Sequence, residues 1–194
     1  MPDQSVWTLR ETLIVAVLGA VFGVLYLGWV QVWLVLQAIF GPVTMDIVMG
    51  FWFIVSMIAA AIIRKPGVAL ISEVMAAAVQ VLLGSPAGLL LLLTGLVQGA
   101  GAEAVFAATR WRRYSVTVLM AAGMGAAVIS FAYTWIRFDY GSLAPGLLIA
   151  MFLLRLASGA LLGGLLAHVI VKALYRTGVL SGLAVDRDAR AAGA

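Results

Sequence analysis

Three charged residues, Glu73, Glu103 and Arg155, stand inside otherwise apolar runs of this 194-residue sequence. A charge in hydrocarbon costs at least about 2.5 kcal/mol, so each of them needs a partner or a function. At ~1.5 Å per residue, Glu73 and Glu103 fall ~10–12 Å from the same end of their runs, and Arg155 reaches that level from the other end. The spacing predicts a buried charge cluster. It would either tie helices together or leave a carboxylate to bind a cationic or hydrogen-bonding ligand.

A second polar layer lies further along the same runs. Trp52, Gln80 and Gln98 come out ~18–22 Å from that end by the same count, with Tyr133 and Asp46 higher still. Amides together with aromatic rings suit a flat heteroaromatic ligand, which they bind by stacking and hydrogen bonding. The sequence therefore predicts a binding pocket in this layer.

Six apolar runs must position these residues. Each is close to the ~20 residues that a helix needs to cross a bilayer, and no soluble domain fits between them. The chain is 64% hydrophobic and only 10% charged, which is typical of a protein whose solvent is lipid. We expect an all-α membrane protein with a single six-helix domain over residues 1–182, its six runs lying at roughly 11–30, 46–63, 67–83, 86–109, 115–136 and 145–175.

The positive charges indicate the orientation. They cluster at alternate ends of the runs, at Arg10, Arg64–Lys65, Arg110–Arg113 and Lys172–Arg176, whereas Arg137 is the one basic residue at an opposite end. The positive-inside rule therefore predicts that both termini are cytoplasmic. This distribution also explains the net charge of +4 without nucleic acid as a partner.

Two stretches are less regular. Residues 28–46 combine Trp29, Trp33 and Gln37 with Gly41-Pro42, which suggests an interfacial segment or short helix on the outer side that could cover a pocket. Residues 183–194 are polar and rich in Ala and Gly, so we expect a partly disordered cytoplasmic tail.

Signatures of catalysis are missing from the sequence. It has no Walker A motif, no cysteine and a single histidine, His168, which excludes a P-loop, thiol chemistry and a multi-histidine metal site. We therefore expect neither an enzyme nor a resident cofactor or metal. A self-sufficient proton-coupled carrier or channel, with Glu73, Glu103 and Arg155 as its relay, remains an alternative to a binding protein.

Small residues follow one face of the first run, at Ala16, Gly19, Ala20 and Gly23. This spacing allows another helix to approach closely in a membrane. The neighbour could belong to the same bundle or to a partner protein.

Three stretches carry a resemblance to a known family. They are GFWFIVSMIAAAIIRKPGVALISEV (50–74), GLVQGAGAEAVFAATRWRRYS (95–115) and RLASGALLGGLL (155–166). Together they resemble the substrate-binding S component of energy-coupling factor (ECF) vitamin importers, specifically the YkoE type, and the similarity extends over roughly residues 10–182.

The resemblance implies six membrane helices that capture thiamine or its hydroxymethylpyrimidine (HMP) precursor from outside a prokaryotic plasma membrane. It also implies a transmembrane T component and two ABC ATPases as partners, with ATP used by those partners alone. In that setting Ala16, Gly19, Ala20 and Gly23 would face the T component. Relatives often carry Glu where this chain has Gln80.

For such a ligand we expect particular side chains to contribute. Trp52 and Tyr133 would supply ring faces, Gln80 and Gln98 would bind the polar pyrimidine edge, and Asp46 or Glu103 would supply charge.

Overall fold

The computed structural model describes residues 6–41 and 43–191, the last four of them as backbone only. Within this part of the chain the regular structure is helical, and shorter 3₁₀ and π segments join several of the α-helices. The α-helices are α1 (Leu9–Phe40), α2 (Thr44–Val48), α3 (Ile54–Ile63), α4 (Val68–Leu82), α5 (Leu90–Ala108), α6 (Val116–Arg137), α7 (Pro145–Ser158), α8 (Leu166–Arg176) and α9 (Ala184–Ala191).

The predicted membrane runs correspond to these helices. Within the described ranges, five helical stretches are long and apolar enough to cross a bilayer, namely Leu9–Phe40, Thr44–Ile63, Leu90–Ala108, Val116–Arg137 and Pro145–Arg176. The remaining run is α4, a shorter apolar helix of 15 residues. At 1.5 Å per residue α4 is about 22 Å long and cannot cover a core of about 30 Å. The turn after it therefore begins inside the depth of the bilayer.

The second run is the centre of the bundle. All residues of α3 are buried, as expected for a helix that is apolar on every side. A 3₁₀ segment, Met49–Phe53, separates it from α2. Ser158 compensates this break, because its Oγ accepts a hydrogen bond from Gly50 N at 2.9 Å and donates to Ile47 O at 2.6 Å.

The first helix is longer than the sequence suggested. Residues 28–40 continue α1 without interruption, so the expected separate interfacial segment does not exist. The helix begins with a capping box between Thr8 and Glu11 and ends at Gly41, whose φ is 77°. Its 32 residues span about 48 Å, so its outer end projects beyond the hydrocarbon.

The small-residue face of α1 is divided between two neighbours. Gly19 and Gly23 pack on α4, where a Cβ built on either glycine would lie 2.7 Å from Cβ of Met75 or Val79. These two positions serve the bundle itself and are not available to a partner, contrary to the expectation. Ala20 is exposed and Ala16 is half-buried, so a partner face would consist of these alanines.

The end of the chain is also more ordered than expected. Residues 184–191 form α9, which packs against α3, while Leu180 and Leu183 are buried. Asp186 accepts a hydrogen bond from Gly182 N at 2.8 Å, which closes the turn before α9. The apolar side chains of residues 180–185 explain the difference, because they attach a polar tail to the bundle. Residues 192–194 lie outside the described part.

Candidate functional site

A cavity of about 200 Å³ lies in the outer half of the bundle. The turn after α4 contributes Ser85, Pro86 and Ala87 to its wall, which follows from the shortness of that helix. The rest of the wall comes from α1, Met45 of α2, the 3₁₀ segment, α4, the outer parts of α5 and α6, and Phe138 directly after α6. The cavity is mainly apolar with a few polar groups, as is typical of sites for small organic ligands.

Aromatic rings form one side of the cavity. Tyr26, Val30 and Trp33 share a face of α1, and Trp33 meets Trp52 edge to face at 6.3 Å between ring centroids. The Tyr26 hydroxyl accepts a hydrogen bond from Val55 N at 3.1 Å, which holds the ring in place. The indole N–H of Trp33 is buried without a hydrogen-bond partner among the described residues. These rings offer faces for stacking and one unused donor.

Two amides face the same space with weak partners. Gln80 Nε2 donates to Ala76 O at 3.4 Å, and Gln98 Nε2 lies 4.0 Å from Met49 Sδ. The two residues are almost fully buried, at 4% and 6% exposed. The structure thus brings Trp52, Gln80 and Gln98 to one cavity, in agreement with their similar predicted depths.

A carboxyl group also reaches this cavity. Glu73 lines it two turns below Gln80 on α4 and is 2% exposed. Ser56 Oγ lies 2.8 Å from Oε2 of Glu73, which leaves the other oxygen able to bond a ligand. The sequence assigned Glu73 to the charge cluster, whereas the structure places it at the base of the cavity.

Asp46 does not line the cavity, contrary to the expectation for a ligand-binding carboxylate. It is fully buried and pairs with Arg155, whose Nε donates to Oδ1 at 2.6 Å. Arg155 Nη1 also donates to Thr134 Oγ1 at 2.7 Å, and its guanidinium carbon lies 5.0 Å from the Phe131 centroid. Arg155 and Asp46 therefore join α2, α6 and α7 behind the cavity wall.

Glu103 lies at the inner end of the bundle and also takes no part in the cavity. Its carboxylate accepts hydrogen bonds from the N–H groups of Gly67, Ala69 and Leu70 at 2.7, 3.0 and 3.3 Å. The Trp111 indole donates to it at 2.6 Å. Glu103 thus caps the N-terminus of α4, where unpaired N–H groups favour an anion.

The predicted charge cluster is therefore wrong. Glu73 bonds Ser56, Glu103 bonds the start of α4, and Arg155 bonds Asp46. Glu73 and Glu103 have comparable depths but turn to different neighbours, and the side chain of Arg155 reaches outward to Asp46 instead of the level of the two glutamates. His168, the single histidine, lies half-buried in a separate cavity at the inner end.

Tyr133 stands behind the wall of the outer cavity. Its hydroxyl is 3.5 Å from Thr94 Oγ1 and 3.3 Å from Arg137 Nη1, and both of these residues line the cavity. Tyr133 therefore positions neighbours of a ligand, and its ring is not among the lining groups.

The sequence reasoning missed Trp33, Tyr26 and Arg137. The sequence placed Trp33 in an interfacial segment or short helix over residues 28–46, whereas it lies on the continuous helix α1. Its spacing of seven residues from Tyr26 is the signal that would have placed both on one helix face. For Arg137 the signal was its isolation as the only cation at an outer end.

The residues that the structure describes contain no group of three or more His, Cys, Asp or Glu side chains that could hold a metal ion. The lining offers stacking faces, amide groups, a carboxyl group and a guanidinium. A bundle of membrane helices around such a cavity defines a class of protein, the substrate-binding membrane components of transporters.

Comparisons with known proteins identify the family. The family described as "ABC-type cobalt transport system, permease component" matches residues 10–129. The chain is 49% identical over 182 residues to the "Putative HMP/thiamine permease protein YkoE" of Bacillus subtilis (strain 168), covering 94% of this chain and 92% of the relative. A solved structure, "Crystal structure of an S-component of ECF transporter", is similar with a TM-score of 0.92 and 48% identity, covering 95% and 94% of the two chains.

The chain belongs to this permease family and is an S component of the YkoE type. It is accordingly a multi-pass membrane protein that serves as the substrate-binding subunit of a transporter. Its relatives are transport components and not enzymes.

Proposed function

We propose that the chain captures thiamine or its HMP precursor in the outer cavity, from outside the plasma membrane of a prokaryotic cell. The observation that carries this proposal is the combination of Trp33 and Trp52 with two under-bonded amides and the carboxyl group of Glu73 in one cavity. The name of the B. subtilis relative supports the same ligands.

The chemistry of these ligands fits the lining groups. The aminopyrimidine ring has donors and acceptors along its edge, which Gln80, Gln98 and Glu73 complement. The thiazolium of thiamine is a cation that favours aromatic faces, with a gain of about 0.5–2 kcal/mol per contact. The amide of Gln80 cannot neutralise this cation. The acidic side chain nearest to Gln80 along α4 that lines the cavity is Glu73.

Transport then needs an external energy source. We propose that the loaded chain reorients against a T component and that two partner ABC ATPases supply the energy. The alternative of a self-sufficient proton-coupled carrier depended on a relay of Glu73, Glu103 and Arg155. These residues have three different sets of partners, so that alternative has lost its basis.

Tryptophan fluorescence of the purified chain in detergent tests the ligand. We expect saturable quenching by thiamine or HMP and none by riboflavin. Glu73→Gln keeps the volume and an acceptor for Ser56 but removes the acid, so we expect affinity to fall about tenfold with an unchanged melting temperature.

Trp7→Phe is the matched control for the fluorescence signal. Trp7 donates to Pro66 O at the inner end of the bundle, far from the cavity, so its loss should lower the baseline and leave affinity unchanged. Absence of quenching by both ligands, or an unchanged affinity of Glu73→Gln, would contradict the assignment of this cavity.

A further inference from the structure

The side chain of Arg137 borders the outer cavity without a carboxylate partner among the residues that the structure describes. Its Nη1 donates to the Tyr133 hydroxyl at 3.3 Å and to Thr94 Oγ1 at 3.4 Å, and both distances are long for hydrogen bonds donated by a cation. The guanidinium carbon lies 5.8 Å from the Tyr133 centroid and 5.2 Å from the Phe138 centroid. The ion pairs found among the described residues are Lys65–Glu11 and Arg155–Asp46, so neither includes Arg137. The rings of Tyr133 and Phe138 thus hold the Arg137 guanidinium in place, and this group remains able to donate shorter hydrogen bonds to a ligand.

The second ionisable group of the cavity lies at its opposite end. Arg137 is the last residue of α6 at the outer side, whereas Glu73 is in the second turn of α4, counted from the inner side. Both side chains line one cavity, so the inner end of the site carries an acidic group and its outer end carries a basic group. A ligand with its own polarity therefore fits in one direction only.

We propose that Arg137 forms a subsite for the oxygen-bearing end of the ligand, a hydroxyl or a phosphate monoester. This inference rests on the proposed function. In this orientation the aminopyrimidine lies toward Glu73, and the thiazolium lies between the two ends, against the aromatic wall and separated from Arg137 by the two-carbon arm. The planar guanidinium presents several donors in a fork that matches phosphate oxygens. The site accordingly accepts phosphorylated thiamine as well as the free vitamin.

The experiment compares three ligands that differ at this end. Thiamine monophosphate carries a phosphate there, thiamine carries a hydroxyl, and HMP lacks the second ring and is too short to use both ends fully. Affinities are measured by tryptophan fluorescence for the natural chain, for Arg137→Gln and for Arg137→Lys. Arg112→Gln, an exposed arginine at the inner end, is the matched control for loss of one positive charge.

We expect Arg137→Gln to lower the affinity for thiamine monophosphate about tenfold or more, for thiamine a few-fold and for HMP least. The reason is that a hydrogen bond between two ionised groups is stronger than one between neutral groups. Arg137→Lys should retain part of the phosphate affinity, and Arg112→Gln should leave all three ligands unchanged.

Equal losses for all three ligands would make Arg137 a support of the cavity wall and overturn the inference. Binding of thiamine but not of its monophosphate by the natural chain, or no change on substitution, would overturn it as well. If the natural chain bound none of the three, the proposed function itself would fail, which is a distinguishable result.

Discussion

The outer cavity and the inner end of the bundle use their polar side chains in opposite ways. At the inner end Glu103 accepts four hydrogen bonds, and Glu11 bonds Lys65 at 2.8 Å and Thr8 N at 2.7 Å. In the outer cavity Gln80 and Gln98 have only long contacts, and the indole N–H of Trp33 has no partner in the described part of the chain.

This difference distinguishes polar groups that stabilise the fold from polar groups that can bind a ligand. A buried polar group without a partner costs about 1–3 kcal/mol, so a chain keeps several of them together only where a ligand can supply the bonds. Fully bonded groups at the inner end stabilise the fold and have little left to offer a ligand. Arg155 and Asp46 pair with each other behind the cavity wall, where Thr134 connects Arg155 to the cavity, but Asp46 Oδ2 has no hydrogen-bond partner among the described residues.

Asp46→Asn should have the largest effect on the fold. It leaves the Arg155 guanidinium buried without a counter-charge, which costs about 3–5 kcal/mol. We expect a strongly lowered melting temperature in detergent, measured by the loss of the monodisperse species on heating.

The matched control for this prediction removes both charges. Asp46→Asn combined with Arg155→Met should recover much of the stability, because no unpaired charge remains buried. A single variant that melted at the temperature of the natural chain would show that the pair is not structural.

Glu103→Gln should cost less, about 2 kcal/mol, because hydrogen bonds to a charged group are lost while one acceptor oxygen remains. We expect lower thermal stability with unchanged affinity for ligand, which is the reverse of Glu73→Gln. Trp111→Phe removes one of the four bonds and should show a smaller loss. A Glu103→Gln variant with normal stability and weakened binding would reverse the assignment of the two regions.

The sequence was sufficient for the depth of the residues that line the outer cavity. The rise per residue is constant and the basic clusters mark where the helices begin, so Trp52, Gln80 and Gln98 could be placed in one layer without a structure. The six apolar runs were predictable for the same reason, since their length reflects the bilayer.

Depth alone does not show toward which neighbouring helix a side chain turns. Glu73 and Glu103 have comparable depths, yet one turns to the cavity and the other to the start of α4. The pairing of Asp46 with Arg155 also depended on the 3₁₀ segment Met49–Phe53, which no residue pattern announced. Trp33 was misplaced because the apolar outer half of α1 carries no signal for its end before Gly41.

The two faces of α1 differ in the same way, because one packs in the bundle and the other is open to a partner protein. A substitution on the open face should have the smallest effect on the fold. Ala20 is exposed and Gly19 faces α4, so the same kind of substitution should have different consequences at adjacent positions. We expect Ala20→Leu to leave melting temperature and ligand affinity unchanged, since position 20 is exposed on the surface of α1. If this face docks the T component, however, the added bulk should stop uptake by the assembled transporter.

Gly19→Leu is the matched control. A Cβ at this position already lies 2.7 Å from Cβ of Met75, so the larger side chain must separate α1 from α4 and lower the melting temperature. Uptake of labelled thiamine by cells that contain the T component and both ATPases, together with binding by the purified chain, distinguishes the two faces. Normal uptake by Ala20→Leu would place the docking surface elsewhere, whereas loss of binding would show that Ala20 supports the cavity through α1.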